Sequence, residues 1–267
     1  MPGIAPFLRW AGSKRQIVTT LAGFWNDAFD RYVEPFVGSA CLFFHLAPTK
    51  ALLGDVNADL IETYRILKKD HPRVSSELRK LHRGASNYYK IRLQNPAQLQ
   101  PTQKAARFIY LNRFCFNGLY RTNLSGGFNV PFGGARSGNV ASESELGSAA
   151  SLLRRASLKI GDFEKTLEHV RPGDFVYMDP PFSIRNHRVF KEYDPSVFNL
   201  EDVKRLRRTM EALADSKIAF VVSYLKSDEA DLLRRGFDSC SVAVRRNISG
   251  FLGSRTICRE LLISYAP

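Results

Sequence analysis

The chain has 267 residues and a formal net charge of +13, from 39 Lys and Arg against 26 Asp and Glu. This length allows one catalytic-sized domain with a small insertion, and the 44% apolar and 24% charged content is that of a globular protein. Disordered, collagen-like and coiled-coil classes are therefore excluded. The basic excess favours an acidic polymer or an anionic surface as the partner, with nucleic acid as the leading candidate.

Neither a membrane span nor a metal centre is predicted. The longest apolar run, around residues 218–222, is far shorter than the roughly 18 residues that a membrane helix needs, and the N-terminus lacks a signal-peptide pattern. The four cysteines and five histidines show no metal-ligand spacing and no CxxC motif. We therefore expect a cytoplasmic protein with reduced thiols, no bound metal and no contact with a membrane.

The beginning of the chain is predicted to form an α/β unit. Apolar residues at helical spacing predict an amphipathic helix over residues 16–29. Short apolar segments predict strands over residues 32–36 and 50–56. Helical periodicity resumes over residues 59–69.

Residues 59–156 differ in character from the rest of the chain. They contain 16 Lys and Arg against 6 Asp and Glu, so this segment carries 16 − 6 = +10 of the net charge. Helices are predicted near residues 75–83 and 102–113, and the Asn-Gly and Gly-Gly pairs within residues 117–134 indicate tight turns between short extended segments. We interpret the segment as an inserted recognition unit.

The α/β pattern returns after the insert. Residues 174–179 and 216–224 read as buried strands, and apolar residues between them recur at helical spacing. The tail, residues 238–267, offers two alternating strands joined by a Gly-rich basic loop. We predict that these two strands form an antiparallel hairpin at one edge of the sheet.

The tetrad Asp179-Pro180-Pro181-Phe182 ends a predicted strand, and open α/β sheets bind ligands beyond the carboxyl ends of their strands. The amino group of a nucleobase is poorly basic because the ring shares its lone pair, so an enzyme must draw that lone pair out of conjugation. Asp179 and the Pro180 carbonyl could each accept an amino hydrogen, while Phe182 stacks on the base. The alternative is an ordinary Asp-Pro turn.

Three further positions are candidate ligand contacts. Gly38, after the first strand, could let the backbone approach a ligand closely, or could serve tight strand-to-helix packing. Asp55, with Glu34 as a second candidate, stands where an acidic residue commonly binds ribose hydroxyls, or could cap the following helix or turn. Trp10 and Lys14 flank a Gly-Ser turn and could line one ligand, or could belong to a surface turn.

The motifs, taken together, resemble one enzyme family. The segments are FLRWAGSKRQI, YVEPFVGSACLFF, GDVNADL, YLNRFCFNGLYRTNLSGGFNVPFG, GDF, VYMDPPF and VRRNISGFLGSRTICRELLISY. In this order, over nearly the whole chain, they resemble the Dam-type DNA adenine methyltransferases. The resemblance implies methyl transfer from S-adenosylmethionine to the N6 amino group of a flipped-out adenine in duplex DNA.

The resemblance also implies the fold and the domain organisation. Residues 1–58 and 157–267 would form a Rossmann-like S-adenosylmethionine domain, with a mostly parallel sheet and an antiparallel C-terminal hairpin. Residues 59–156 would form a small, mainly helical DNA-recognition domain with a β-hairpin. Residues 183–198 could be a lid over the base or a plain surface loop.

Carried over position by position, the resemblance assigns site residues. Lys14 is expected near the methionine carboxylate, Asp55 at the ribose, and Asp162 and Phe163 around the adenine of the cofactor. Ala40 replaces the usual second glycine of the family's loop. The catalytic residues would be Asp179, Pro180, Pro181 and Phe182, and the cofactor-binding residues would be Trp10, Lys14, Glu34, Phe36, Gly38, Asp55, Asp162, Phe163 and Asp179.

Two details of that tetrad and of the recognition hairpin bear on specificity. Aspartate as the first residue of the tetrad favours adenine over cytosine, and Phe182 keeps the stacking of the family's tyrosine. Ser125 stands where relatives that read GATC often carry a basic residue, which removes a natural bidentate partner for guanine. GATC remains the leading expected target, with a similar short site as the alternative. The DNA-binding residues would be Asn117, Arg121, Thr122, Asn123, Ser125, Arg245, Arg246 and Arg255.

The expected partner is double-stranded DNA, with a cognate restriction endonuclease as a further candidate, and the protein itself is expected to be a monomer or weak dimer. Two other functions share much of the pattern. A cytosine-N4 or RNA adenine methyltransferase would use the same amine chemistry, and a catalytically silent DNA-binding protein could keep the same fold.

Overall fold

The computed structural model describes residues 3–123, 125–181, 198–247 and 255–267. Within them, the strands are β1 (Arg31–Glu34), β2 (Ala51–Asp55), β3 (Ala156–Ile160), β4 (Asp174–Met178), β5 (Ala219–Leu225), β6 (Asp238–Asn247) and β7 (Arg255–Tyr265). They form one sheet in the order β3-β2-β1-β4-β5-β7-β6. Strands β1 to β5 pair in parallel, while β7 runs antiparallel between β5 and β6. This confirms the predicted fold class.

Helices cover both faces of the sheet. They are α1 (Val18–Ala22), α2 (Cys41–Leu46), α3 (Ala58–Arg79), α4 (Ala85–Leu93), α5 (Pro101–Phe114), α6 (Glu143–Leu153), α7 (Phe163–Leu167), α8 (Leu200–Asp215) and α9 (Asp228–Leu233). Successive residues of β4 point to opposite faces: Phe175 and Tyr177 pack with α1 to α6, and Val176 and Met178 pack with α7 to α9. Because both faces are covered, β4 is fully buried, and it is apolar from Phe175 to Met178.

The helices of the insert share one continuous apolar core with one face of the sheet. The predicted domain boundaries fall at the start of α3 and at the first residue of β3. Helix α3 carries a kink at Asp70, two residues before Pro72, whose ring cannot continue a regular helix. The separate predictions for residues 59–69 and 75–83 therefore describe the two parts of this kinked helix.

The helix predicted over residues 16–29 is wrong in length, since α1 ends at Ala22. Gly23 lowers helix propensity there, and the Asn26 side chain accepts a hydrogen bond from the backbone N–H of Ala28 at 2.9 Å, which favours a turn. The aromatic residues that suggested a helix still pack inward: the rings of Trp25 and Phe29 lie 5.8 and 5.2 Å from Phe175.

The hairpin predicted within residues 117–134 is irregular. Two isolated antiparallel bridges join Cys115 to Phe132 and Thr122 to Phe128, without a continuous ladder. The sequence analysis did not predict α4 or α6, although Ser142 and Glu145 form a capping box at the start of α6.

The sheet order determines where a ligand can bind. Strand β1 pairs with β2 on one side and with β4 on the other, so the connections leave β1 in opposite directions. In such sheets a crevice opens at the carboxyl ends of the two strands where the order reverses. Among the described residues, no helix has both the length and the apolar composition to cross a membrane.

Candidate active site

A cavity of about 1000 Å³ opens at the carboxyl ends of β1 and β4. Its walls include Pro180, Pro181 and every residue that was predicted to bind the cofactor: Trp10, Lys14, Glu34, Phe36, Gly38, Asp55, Asp162, Phe163 and Asp179. Phe182 and the lid predicted over residues 183–198, apart from Phe198, lie outside the described residues. The fold thus brings together side chains that are up to about 170 residues apart in the chain.

Asp179 follows β4 directly, and two donors hold one of its carboxylate oxygens. Its Oδ1 lies 2.9 Å from Nζ of Lys14 and accepts a hydrogen bond from Oγ of Ser223 at 3.0 Å. The hydroxyl of Tyr177 lies 3.1 Å from the same Ser223 oxygen. No described residue donates to Oδ2 of Asp179. Burial raises the pKa of Asp179, and the nearby Lys14 ammonium opposes that shift.

Lys14 is buried, with 4% of its side chain exposed, and its ammonium lies between two carboxylates. The second carboxylate is that of Glu260 on β7, at 3.3 Å and 1% exposed. The structure therefore directs this ammonium toward Asp179 and Glu260.

The loop around Gly38 forms another wall of the cavity. Gly38 has φ +43°, and a Cβ added there would lie 2.8 Å from two atoms of the Trp10 indole, so the ring rests directly on the glycine. The Gly38 N–H donates to Oδ2 of Asp55 at 2.9 Å. Ala40 also adopts a left-handed conformation, with φ 55°, which glycine adopts at lower cost. Ala40, which replaces the usual glycine, thus adopts a backbone conformation that favours glycine.

Asp55 and Glu34 both have structural partners. Besides Gly38, Asp55 accepts a hydrogen bond from the backbone N–H of Asn57 at 2.9 Å, and it is Asn57 that caps α3. Glu34 is 2% exposed and accepts a hydrogen bond from Tyr32 at 3.0 Å. Burial raises the pKa of Glu34 well above its usual value. Asp55 therefore fixes the turn after β2 as well as the Gly38 loop.

Aromatic rings line the far end of the cavity. Phe36 stacks on Phe163 with ring centroids 5.2 Å apart, and Phe198 meets Phe36 edge-on at 6.1 Å. Asp162 caps α7 by accepting a hydrogen bond from the backbone of Glu164 at 3.1 Å. This end offers flat apolar faces beside a carboxylate.

Arg205 of α8 organises that end, and the sequence analysis did not identify it. Its guanidinium lies 4.9 Å from the ring centroid of Phe163 and forms ion pairs with Asp162, Glu164 and Asp202. The acids on α7 lie about 40 residues away in sequence, so spacing gave no signal for this contact.

The recognition hairpin reaches the rim of the cavity. Arg121 and Thr122 contribute to its walls. Tyr120, which sequence analysis also did not identify, stacks on Trp10 with ring centroids 6.3 Å apart and donates a hydrogen bond to Asp59 at 2.7 Å. The segment that contains Trp10 therefore contacts the insert directly.

The other predicted DNA-binding residues fall into three groups. Asn123 and Ser125 are exposed on the hairpin, where the Asn123 side chain accepts hydrogen bonds from two backbone N–H groups and shapes the turn. Asn117 adopts a left-handed conformation, with φ 55°. The side chains of the remaining three, Arg245, Arg246 and Arg255, lie outside the described part of the structure.

In the part of the chain that the structure describes, no group of three His, Cys, Asp or Glu side chains is arranged to hold a metal ion.

Comparison with known proteins points to one family. The family model described as D12 class N6 adenine-specific DNA methyltransferase matches residues 10–248. The chain is 34% identical to the Type II methyltransferase M1.LlaDCHI of Lactococcus lactis subsp. cremoris, over 98% of this chain and 95% of that protein. It is 32% identical to the Type II methyltransferase M.MjaIII of Methanocaldococcus jannaschii, over 92% and 93%, and 31% identical to the DNA adenine methylase of Escherichia coli K12, over 98% and 95%.

Proposed function

The chain belongs to the D12 class of N6 adenine-specific DNA methyltransferases, and from this premise we propose that it methylates adenine within GATC or a similar short site of duplex DNA. The proposed methyl donor is S-adenosylmethionine, and the target adenine leaves the base stack before it reacts. The observation that carries the proposal is that Asp179 opens onto the same cavity as the Gly38 loop and Asp55.

The cavity suits a nucleoside that carries a positive charge. The Gly38 backbone and the Trp10 ring lie in direct contact and form a cradle with no room for a Cβ between them. When bound, S-adenosylmethionine supplies an electrophilic methyl group on a sulfonium. We propose that Asp55 holds the ribose hydroxyls, that Phe36, Asp162 and Phe163 hold the adenine end, and that the remaining proposed donor contacts serve the methionine end. Those contacts are Trp10, Lys14, Glu34, Gly38 and Asp179.

Asp179 and Pro180 are proposed to act on the target amine. Oδ1 of Asp179 is held by Lys14 and Ser223, which leaves Oδ2 to accept a hydrogen from N6 of the target adenine. The carbonyl of Pro180 would accept the second hydrogen, and the ring of Pro181 would limit movement of the backbone. With both hydrogens engaged, the nitrogen lone pair would attack the methyl carbon directly as the sulfur–methyl bond breaks and the sulfur becomes a neutral thioether. N6 would then lose one proton to solvent. Phe182 is proposed to stack on the flipped base.

DNA is proposed to lie across the recognition hairpin. Arg121 and Thr122 stand at the rim of the cavity, which supports the proposal that they meet the strand that carries the target base. Asn117, Asn123 and Ser125 are proposed to contact the DNA as well. Arg245, Arg246 and Arg255 are proposed to neutralise phosphates, which holds the protein on DNA without specifying sequence.

We propose that the enzyme acts as a monomer or weak dimer in the compartment that contains the DNA, taken as the cytoplasm. A cognate restriction endonuclease is a candidate partner because two of the relatives are named Type II methyltransferases.

Product analysis tests the proposed reaction. We expect the protein to transfer labelled methyl groups from S-adenosylmethionine to duplex DNA, and we expect N6-methyladenine after digestion to nucleosides. Sequencing of modified DNA should then locate the label within GATC or a similar short sequence. N4-methylcytosine as the product, or label confined to RNA, would overturn the proposal.

Gly38→Ala is expected to weaken donor binding by about tenfold, or roughly 1.4 kcal/mol. The added Cβ would lie 2.8 Å from the Trp10 ring, so the ring must move within the cavity. Titration calorimetry with S-adenosylmethionine measures the effect. Gly236→Ala is the control: it imposes an alanine on a similar left-handed backbone, with φ +73° and open space around it, and it lies away from the cavity walls. Equal donor affinity in the two variants would contradict the proposed cradle.

A further inference from the structure

Glu260 is a buried acid that the mechanism above does not use. It lies on β7, opposite Leu225 of β5 and Val242 of β6, with 1% of its side chain exposed. It is not among the residues that line the cavity. Any influence of this carboxylate on the reaction must therefore pass through another side chain.

Lys14 provides that connection. Its ammonium lies 3.3 Å from Oε2 of Glu260 and 2.9 Å from Oδ1 of Asp179. Two carboxylates thus share one buried cation, and removal of either carboxylate shifts the position that the ammonium prefers. The N-terminal segment, the end of β4 and the middle of β7 meet at this cluster.

The cluster controls the orientation of Asp179. Lys14 and Ser223 both contact Oδ1, and the hydroxyl of Tyr177 lies 3.1 Å from Oγ of Ser223. With one oxygen fixed by two donors, rotation of the carboxylate is restricted. The other oxygen, Oδ2, receives no hydrogen bond from any described residue.

We propose that Glu260 is a positioning residue for methyl transfer. It holds the ammonium of Lys14 at the position from which Lys14, together with Ser223, fixes Oδ1 of Asp179 and leaves Oδ2 for the target amine. This inference rests on the proposed function, because it assigns Glu260 to the same reaction.

Glu260→Gln tests the proposal. The glutamine keeps the size of the side chain but removes its charge, so Lys14 is no longer shared between two carboxylates. We expect the single-turnover rate of methyl transfer to fall about 10- to 100-fold, which is the loss typical of residues that orient a functional group through another side chain. The dissociation constant for S-adenosylmethionine should change by a smaller factor than the rate, because Glu260 does not itself reach the cavity and Lys14 keeps its charge there.

The pH profile separates positioning from a purely structural role. The charged and titratable groups around Asp179 are Lys14, Glu34, Cys41, Tyr177 and Glu260. The negative charge of Glu260 raises the pKa of Asp179, so its removal lowers that pKa. Because Asp179 acts in its ionised form, the acidic limb of the rate profile should move to lower pH in Glu260→Gln.

Two more variants complete the experiment. Glu229→Gln is the matched control, because it also removes the charge of a buried acid. Glu229 lies on α9, is 5% exposed and does not line the cavity, so the rate and pH profile of this variant should equal those of the wild type. Glu260→Asp keeps the charge with a shorter side chain. It should give an intermediate rate with the wild-type acidic limb, and it serves as the test if Glu260→Gln does not fold.

The outcomes are distinct. The inference would be overturned if folded Glu260→Gln kept the wild-type rate and pH profile. A wild-type rate in Glu260→Asp would overturn it as well. So would a loss confined to donor affinity, which would assign the cluster to donor binding. If the wild type itself transfers no methyl group to DNA, it is the proposed function that fails.

Discussion

Asp179→Ala is expected to reduce methyl transfer to duplex DNA by about 10³-fold, while the protein remains folded. The substitution removes the carboxylate that we propose accepts a hydrogen from the target amine, so the lone pair of that nitrogen would stay conjugated with the ring. The fold should persist because Asp179 lies just beyond β4 and Lys14 keeps its contact with Glu260. Single-turnover transfer of a labelled methyl group measures the loss.

Asp215→Ala is the matched control for this prediction. Asp215 is exposed at the end of α8, away from the cavity, so its replacement should leave the rate unchanged. Circular dichroism of both variants checks the fold. A rate within about threefold of wild type in Asp179→Ala would mean that another group holds the amine, and the catalytic assignment would have to be withdrawn.

Asp174→Ala is expected to lower the free energy of unfolding by about 3–5 kcal/mol. Asp174 is 1% exposed and receives two hydrogen bonds from the Arg31 guanidinium, at 3.0 and 2.5 Å, across the pairing of β1 with β4. It also accepts a hydrogen bond from the backbone of Arg171 at 2.9 Å. The alanine would leave the partly buried guanidinium without its carboxylate partner.

Urea denaturation measures this effect, with Glu143→Ala as the comparison. Glu143 pairs with Arg79 across the surface, where the two side chains are 52% and 62% exposed. An exposed pair contributes little, so Glu143→Ala should cost less than about 1 kcal/mol. Equal losses in the two variants would show that burial of the Arg31–Asp174 pair does not strengthen it.

Much of the fold could be predicted from the sequence, because local pattern determines it. The apolar strand over residues 174–179 and the periodic residues of α8 depend only on neighbours in the chain, and both elements form where they were predicted. The helix predicted over residues 16–29 is wrong in length because packing with distant residues, rather than local pattern, determines the structure there. Trp25 and Phe29 are apolar at helical spacing, but both lie beyond the end of α1 and pack their rings against Phe175.

The residues of the candidate site also divide into those that local sequence predicts and those that it does not. Asp179 and Gly38 could be singled out from motif chemistry, and Asp162 and Phe163 only from the family resemblance. The remaining contributors are Ser223, Arg205 and Glu260. Ser223 and Arg205 lie outside the resembling segments, and Glu260 lies within the last of them but had no assigned role. Ser223 meets Asp179 across two strands, and Arg205 meets Asp162 from a different helix. Such contacts arise only when distant parts of the chain pack together, and no spacing rule predicts them.

The position of β7 has a consequence for the synthesis of the enzyme. This strand is the last in sequence but lies inside the sheet, between β5 and β6, and it carries the carboxylate that meets Lys14 near the other end of the chain. A nascent polypeptide cannot complete this contact until residue 260 has emerged from the ribosome. Pairing across almost the full chain length also slows folding. The contact between Glu260 and Lys14 therefore forms only after every other described strand of the sheet has been synthesised.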